Sequence, residues 1–483
     1  MYHAHGRRGF ILVDLVFLVA VLALAAAMFV PWLFKSRETA RRTQCANNLK
    51  MVCLALLNYE QANMTFPSGM ICDKGEDPAL TDVFRPNWVI LTLPFLEESA
   101  LQRSFDIKAP ISDPRNRVAR GTFIPVLLCP SDAANNKKPF NSTQKAEGDN
   151  WARGNYAVNA GNVFIGKEGG VANSGYTQWL DNQRRGIMAV NDCTMDLAGI
   201  RDGTAQTILA GEVRAGVDDK DRRGAWAMGM AGSSIACAHG SWGDDNGPNA
   251  CNRWADDIKG GDQVKVGPAA EDRCMDPWGK SGSRQATFRS LHPGGCNVVF
   301  ADGSVHLISD AIETSGPWGD ASTGFWPTWD RLICSSDRHA VDAVRIEVAP
   351  GDSKEVQGAK LVKVAGTVKF KDGSVPEGEY RCITFCPVLS GIGPEAEMRG
   401  RLPREPRKGA GGEIGADGRF ELTTIKPGDG VLPGRYWVTV KCVKSYADPD
   451  SLTIPKKYAE VSTTPLEVTI DRGRGDVDFV LDK

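Results

Sequence analysis

The chain has 483 residues, and its 57 lysines and arginines nearly balance 59 aspartates and glutamates. That length predicts two or more domains of about 100 to 200 residues, and the near-zero net charge, with no basic stripe carrying interleaved aromatics, excludes nucleic acid as a partner class. The 52 glycines and 12 tryptophans, with little helical periodicity after residue 65, point to strands, turns and long loops.

The first predicted element is a helix. Residues 15–34 carry no charge, enough to cross about 30 Å of hydrocarbon. Arg7 and Arg8 precede the segment while Lys35, Arg37, Arg41 and Arg42 come after it, so charge bias does not set an orientation. Asp14 stands at its edge, where a carboxylate in hydrocarbon costs roughly 2.5 to 3.5 kcal/mol and needs a reason. The residues alone leave three readings: a secretory signal cut near Ala25–Ala27, a plain anchor, or the upper half of a long stem. The next thirty residues argue against an ordinary signal peptide. Leu49, Val52, Cys53, Leu56 and Leu57 fall on one stripe of an amphipathic helix, and the pattern stops at Phe66-Pro67. Together the segments predict nearly continuous helix on the order of 80 Å long at 1.5 Å per residue.

All 13 cysteines lie beyond the apolar segment, from Cys45 to Cys442, without a CxxC pair or a zinc-like Cys/His cluster in the sequence. That spread predicts an oxidising, extracytoplasmic compartment rather than a metal site, with buried, inert thiols as the alternative. The odd count leaves at least one thiol free or paired between chains. Asn297–Phe300 and Val305–Ile308 are β-prone runs around Ala301-Asp302-Gly303-Ser304, which predicts a hairpin with Gly303 at positive φ. His292 sits at the bend before it. Fixing a loop by hydrogen bonding is the commoner role for such a histidine, and ligand or proton shuttle is the alternative.

No GxSxG elbow and no HExxH occur, so the chain is expected not to be an enzyme. The "WGKS" of Trp278–Ser281 has Cys274 where a phosphate loop needs its first glycine. Asp244, Asp245 and Asn246, with Asn249, form a cluster of hard oxygen donors suited to calcium, the one cofactor considered; a solvated glycine-rich turn is the plainer reading. Residues 346–360 are polar with proline and glycine and predict a linker. Beyond them alternating strands with glycine-marked turns predict a β-sandwich of about 120 residues. Cys382 and Cys386 lie too far apart along one strand to bond each other, which leaves Cys442 as the better candidate partner for one of them.

Three resemblances add to this reading. Gly9, Phe10, Asp14 and Pro31 resemble the type IV prepilin signature, in which the leader is cut after the glycine, the new N-terminal phenylalanine is methylated, and a carboxylate at the fifth mature position meets a neighbouring subunit's amine. Asp14 holds that fifth position, with Asp where Glu is usual and Ile11 where Thr is usual. Next, "RETARRTQCANNLK", "NWVILTLPFLEE", "FIPVLLCPSD", "GNYAVNAG", "IRDGTAQTILAGE" and "SLHPGGCNVVFADGSVHLISD" are similar, in order, to segments of the prepilin-like family of domain of unknown function 1559, over roughly residues 8–345. Its hallmark is His292, nine intervening residues, then Asp302-Gly303. Cys45 and Cys129 stand within those segments and are expected to form a disulfide tying stem to head. Finally, "GTVKFKDGSVPEG", "GGEIGADGRFEL" and "LPGRYWVTV" resemble carboxypeptidase regulatory-like, transthyretin-type domains, which bind or space rather than catalyse.

The expectation is therefore an α+β chain: leader 1–9, transmembrane and amphipathic stem helix 10–65, β-rich pseudopilin-like head 66–345, linker 346–360 and sandwich 361–483. It implies a structural, non-enzymatic envelope protein, single-pass in the inner membrane with its head extracytoplasmic. Its partners would be the membrane, a prepilin peptidase and methylase, and other pilin-like subunits. The alternative is a membrane-anchored solute or glycan receptor using Trp226, Trp242, Trp254 and Trp278.

Overall fold

The computed structural model describes residues 8–133, 136–166, 179, 182, 184–237, 247–250, 256–264, 275, 277–279, 282–310, 312, 314, 328–336, 361–378, 380–387, 410–422, 424, 428, 430–445, 448–459, 463–471 and 475–483. The side chains of 8–14, 19–35, 278, 380, 386–387, 445 and 448–450 fall outside that description, as does the predicted linker.

Helix α1 runs without a break from Arg8 to Asn63, 56 residues. The predicted stripe is its buried face: Cys45, Leu49, Val52, Cys53 and Leu56 are inaccessible, with Leu57 partly covered. The helix ends two residues before the predicted limit of 65, because Met64 turns left-handed at φ 60°, a common way of closing a helix. Phe66 then drops into the core. Among the described residues no helix is long and apolar enough to cross a membrane; most side chains of 15–34 lie outside the description.

The head is built on strands β1 (Tyr156–Asn159), β2 (Ile208–Glu212), β3 (Ile235–Ala236), β4 (Asp256–Asp257), β5 (Pro277–Trp278), β6 (Gly295–Phe300) and β7 (Val305–Ser309). The main sheet has the order β3-β1-β2-β6-β7, parallel only between β1 and β3. Side chains alternate across it, as a pleat requires, except at an irregularity of register in β2 between Ile208 and Ala210. Tyr156, Val158, Ala210 and Val299 join the cluster of the stem residues Leu49, Val52 and Leu56. Ala157, Ile208, Val298 and Phe300 join the opposite cluster, with Trp329 and Leu332 of the short helix Thr328–Ile333. With both faces covered, β1, β2 and β6 are buried along their whole length, which is why they read as near-continuous apolar runs.

The loops around the sheet are held by buried charges. Arg223 pairs with Asp221 and Asp256, and Arg289 also pairs with Asp256. Arg222 lies 3.0 Å and Lys259 2.7 Å from Glu147. All of these are almost fully buried, where an ion pair is sustained only by good geometry and complete hydrogen bonding.

The C-terminal residues form a second unit with eight strands: β8 (Ala365–Phe370), β9 (Tyr380–Pro387), β10 (Ala410–Glu413), β11 (Arg419–Glu421), β12 (Gly434–Ser445), β13 (Asp448–Leu452), β14 (Glu467–Ile470) and β15 (Asp476–Leu481). One sheet runs β10-β9-β12-β13, with β14 also on β12, and the other runs β11-β8-β15. They share one apolar core that includes Val368, Phe385, Phe420, Val438 and Phe479. The proposed pairing of Cys442 is not made: its thiol is free and buried. Register explains this. Cys382 stands opposite Lys441, so it lies on a face that Cys442, one residue on from Lys441, does not share.

Burial by itself would raise the pKa of Glu147, but the charges and hydrogen bonds of Arg222 and Lys259 outweigh it and hold the carboxyl at about 2, below its ordinary 4.5. A depressed carboxylate contributes stability that is present above the unfolded value and is lost as pH falls through the folded one. Head stability should therefore decline as pH falls from about 4.5 to about 2, measured by urea unfolding at a series of pH values. Glu147→Gln should flatten that part of the profile and cost about 3 to 5 kcal/mol near neutrality, because it strands buried cations. Parallel profiles for parent and variant would show that this carboxylate does not carry the effect.

Candidate functional site

The chemically richest point of the described head is where α1 meets the main sheet. Glu38 and Cys45 are seven residues apart on α1, two turns, and so point from the same face. Cys129 comes directly after Leu128, whose carbonyl accepts from Asn48 of α1 at 3.0 Å, and the Cys129 amide donates to the buried Asn155 Oδ1 at 2.9 Å. Cys45 and Cys129 are joined by a disulfide, Cα atoms 5.2 Å apart.

His292 lies beside that bond, its ring fully buried. Its Nε2 is 3.7 Å from Cys129 Sγ and 3.1 Å from Glu212 Oε1, and its Nδ1 is 2.7 Å from Glu38 Oε1. Glu212 is the last residue of β2 and is itself buried. The Asn297 backbone N–H donates to Glu212 Oε2 at 2.9 Å, and the Asn297 side-chain amide donates to Oε1 at 3.0 Å. Glu38 accepts from Ser131 Oγ at 3.1 Å and pairs with Arg41 at 2.7 Å. Each ring nitrogen thus faces a carboxylate, which suits an imidazolium donating both its protons. Burial pushes the His292 pKa down, yet the hydrogen bonds and charges of Glu212 and Glu38 outweigh it and leave it raised. Burial likewise pushes Glu38 up, and its bonds to His292 and Arg41 bring it below the ordinary carboxylate value.

The hairpin is present as β6 and β7. Gly303 sits at φ 87°, a conformation that favours glycine, and Asp302 Oδ1 accepts from the Ser304 amide at 2.8 Å and hydroxyl at 2.6 Å. Asp302 and Gly303 therefore serve the turn and do not join His292. The turn reaches α1 instead, near Cys53: a Cβ on Gly303 would stand 4.0 Å from Cys53 Sγ. Cys53 is eight residues beyond Cys45, about 12 Å along the helix. The nine-residue spacing is thus the length of one strand and its turn, with both ends against the stem.

Other candidates are dispersed. The backbone of Gly9, Phe10 and Asp14 is within α1, but their side chains lie outside the described residues. Asp244, Asp245 and Asn246 lie outside them entirely, as do Trp242 and Trp254, and the Trp278 side chain is not described. Asn249 is committed to structure, donating to Asp310 Oδ1 at 2.7 Å and accepting from the Ser290 amide at 2.6 Å. Trp226 is buried with its indole N–H on Thr122 O at 3.0 Å, so it offers no stacking platform.

The absence of a Cys/His cluster along the sequence is corrected in space: Cys45, Cys129, Glu212 and His292 place one ligand-type atom each within 4.8 Å of one another. Glu38, Glu212 and Asn297 were not anticipated. Their only signals are a glutamate two turns before Cys45 and a carboxylate closing the apolar run "ILAGE".

A family model described as "protein of unknown function (DUF1559)" matches residues 35–315, a span that holds Glu38, Cys45, Cys129, Glu212 and His292. No curated protein and no solved structure matches the chain.

Peptide mapping without reduction should recover Cys45 and Cys129 in one linked peptide. Cys45→Ala, which opens a loop of 84 residues, should cost roughly 4 to 5 kcal/mol in the chain-entropy account. Recovery of both as free thiols would rule the bond out.

Proposed function

The chain belongs to the DUF1559 family of proteins of unknown function, and we propose that it acts there as a non-enzymatic, membrane-tethered, pilin-like component of the cell envelope. The observation that carries this is α1 itself. Its second half is built into the head, while Leu15, Val16, Phe17 and Leu18 in its first half are exposed. Four consecutive apolar side chains on a projecting helix need lipid or another apolar surface to cover them. The leader-like Arg7-Arg8-Gly9-Phe10 and Asp14 at the fifth position after Gly9 supply the rest: a cut before Phe10, methylation of the new terminus, and a carboxylate able to pair with the amine of the next subunit. The helix holds Asp14 about 6 Å along its axis from its own Phe10, so the pairing is between subunits. Pairing is what makes a buried carboxylate tolerable.

In this account the helix anchors the chain in the inner membrane with its head on the extracytoplasmic side, a compartment in which the Cys45–Cys129 disulfide persists. The junction around His292 holds the head on its stem. The C-terminal unit, which resembles carboxypeptidase regulatory-like domains, is read as a binding or spacing module.

Intact-mass analysis of protein extracted from membranes should give a chain beginning at N-methylated Phe10. A chain beginning near Ala26–Met28 would mean signal-peptidase cleavage instead. Asp14→Ala should leave the head folded and remove the oligomer ladder seen on crosslinking in membranes, whereas a ladder identical to the parent's would overturn the pairing.

A further inference from the structure

We propose that Cys45, Cys129, Glu212 and His292 form a zinc site when the Cys45–Cys129 disulfide is reduced, so that the stem is fastened to the head either by a covalent bond or by a metal ion. The inference stands on geometry and is independent of the tethering role.

Four side chains of ligand type converge from four separate parts of the head: α1, the loop after Leu128, the end of β2 and the bend before β6. Their candidate donor atoms lie within 4.8 Å of one another and all four residues are buried. Zinc prefers four such ligands, two thiolates, an imidazole nitrogen and a carboxylate oxygen among them, at about 2.0 to 2.3 Å. A tetrahedron of that size has edges of roughly 3.3 to 3.8 Å, so the sulfurs must separate by about 1.5 Å once the bond between them is broken. The neighbours hold the other two donors in place. Glu38 lies 2.7 Å from His292 Nδ1; a proton kept there leaves Nε2 free to turn its lone pair to the ion, the arrangement found behind many metal-bound histidines. Asn297 fixes the Glu212 carboxylate through both oxygens. Without an ion, the reduced site would leave two thiols against the buried Glu212 carboxylate and the His292 imidazole.

The chemistry closes. A dithiol reductant gives two electrons and two protons to the disulfide, becomes a disulfide itself and leaves two cysteine thiols. Zinc then displaces the two thiol protons and any proton on His292 Nε2 to solvent. The same two sulfurs cannot bond each other and the ion, so the two closures are exclusive.

The test uses the full chain with Co2+ as probe. After reduction and removal of the reductant under anaerobic conditions, the chain should bind one equivalent of Co2+ with a sulfur-to-metal charge-transfer band, lost on adding stoichiometric Zn2+. The oxidised chain should show no such band. Cys129→Ser should remove or shift the band, and Glu212→Gln or His292→Ala should weaken binding at least tenfold. Glu38→Gln, outside the ligand set and on a partly buried residue, should weaken binding by about 10- to 100-fold and alter the ligand-field spectrum, which separates a positioning role from a merely structural one. It also decides the matter if a ligand variant does not fold. A folded, reduced chain with no thiolate–cobalt band overturns the proposal, and so does a band unchanged in Cys129→Ser, which would place the ion on other cysteines.

Discussion

A buried imidazole between two carboxylates is the constraint on which the head is organised. Glu38 comes from the stem and Glu212 from the centre of the sheet, and His292 meets both. The apolar stripe of Leu49, Val52, Cys53 and Leu56 supplies most of the energy that holds the helix down, on the order of 1.5 to 3 kcal/mol for each large side chain buried. Apolar contact has no direction, however, and a helix resting on a sheet through it alone is poorly fixed against sliding or rotating. Charged hydrogen bonds are directional. The disulfide of Cys45 and Cys129 lies next to them and fixes the same face of the helix covalently, two turns on from Glu38.

The rest of the head is placed from that point. Strand β6 starts just after His292 and runs beside the stem, and its turn at Asp302-Gly303 meets the helix again near Cys53. Two contacts separated by one strand set the angle of helix to sheet as well as its position. Tyr156 of β1 adds a third, donating its hydroxyl to the Cys45 carbonyl at 3.1 Å. The loops away from the stem are ordered by a different device, the buried arginine and carboxylate pairs around Asp256 and Glu147. A helix so fixed can transmit position from whatever its far end is seated in to the whole head.

Much of this was legible in the sequence where the signal is local. The stripe of α1, the hairpin with Gly303 in its turn and the alternating strands after residue 361 depend on periodicities of 3.6 and 2 and on turn chemistry, which neighbouring residues carry. The pairing of Cys45 with Cys129 was anticipated through family resemblance, not spacing. What could not be read is what the tertiary fold assembles. Glu38, Cys129, Glu212 and His292 are spread over more than 250 positions, and nothing local distinguishes Glu212 from an exposed strand-end glutamate. Cys442 shows the converse failure: strand membership was right, but a cross-strand partner depends on register, and a shift of one residue puts two cysteines on opposite faces.

The most direct test of the stem-to-sheet junction is a double-mutant cycle on unfolding free energy with Glu38→Gln, His292→Gln and the pair, all with the disulfide intact. If the imidazole joins helix to sheet, the two changes should be non-additive, with a coupling of roughly 0.5 to 3 kcal/mol. Additive effects would mean that Glu38 and His292 act independently, and that the stem is held on the sheet without a contribution from their pairing.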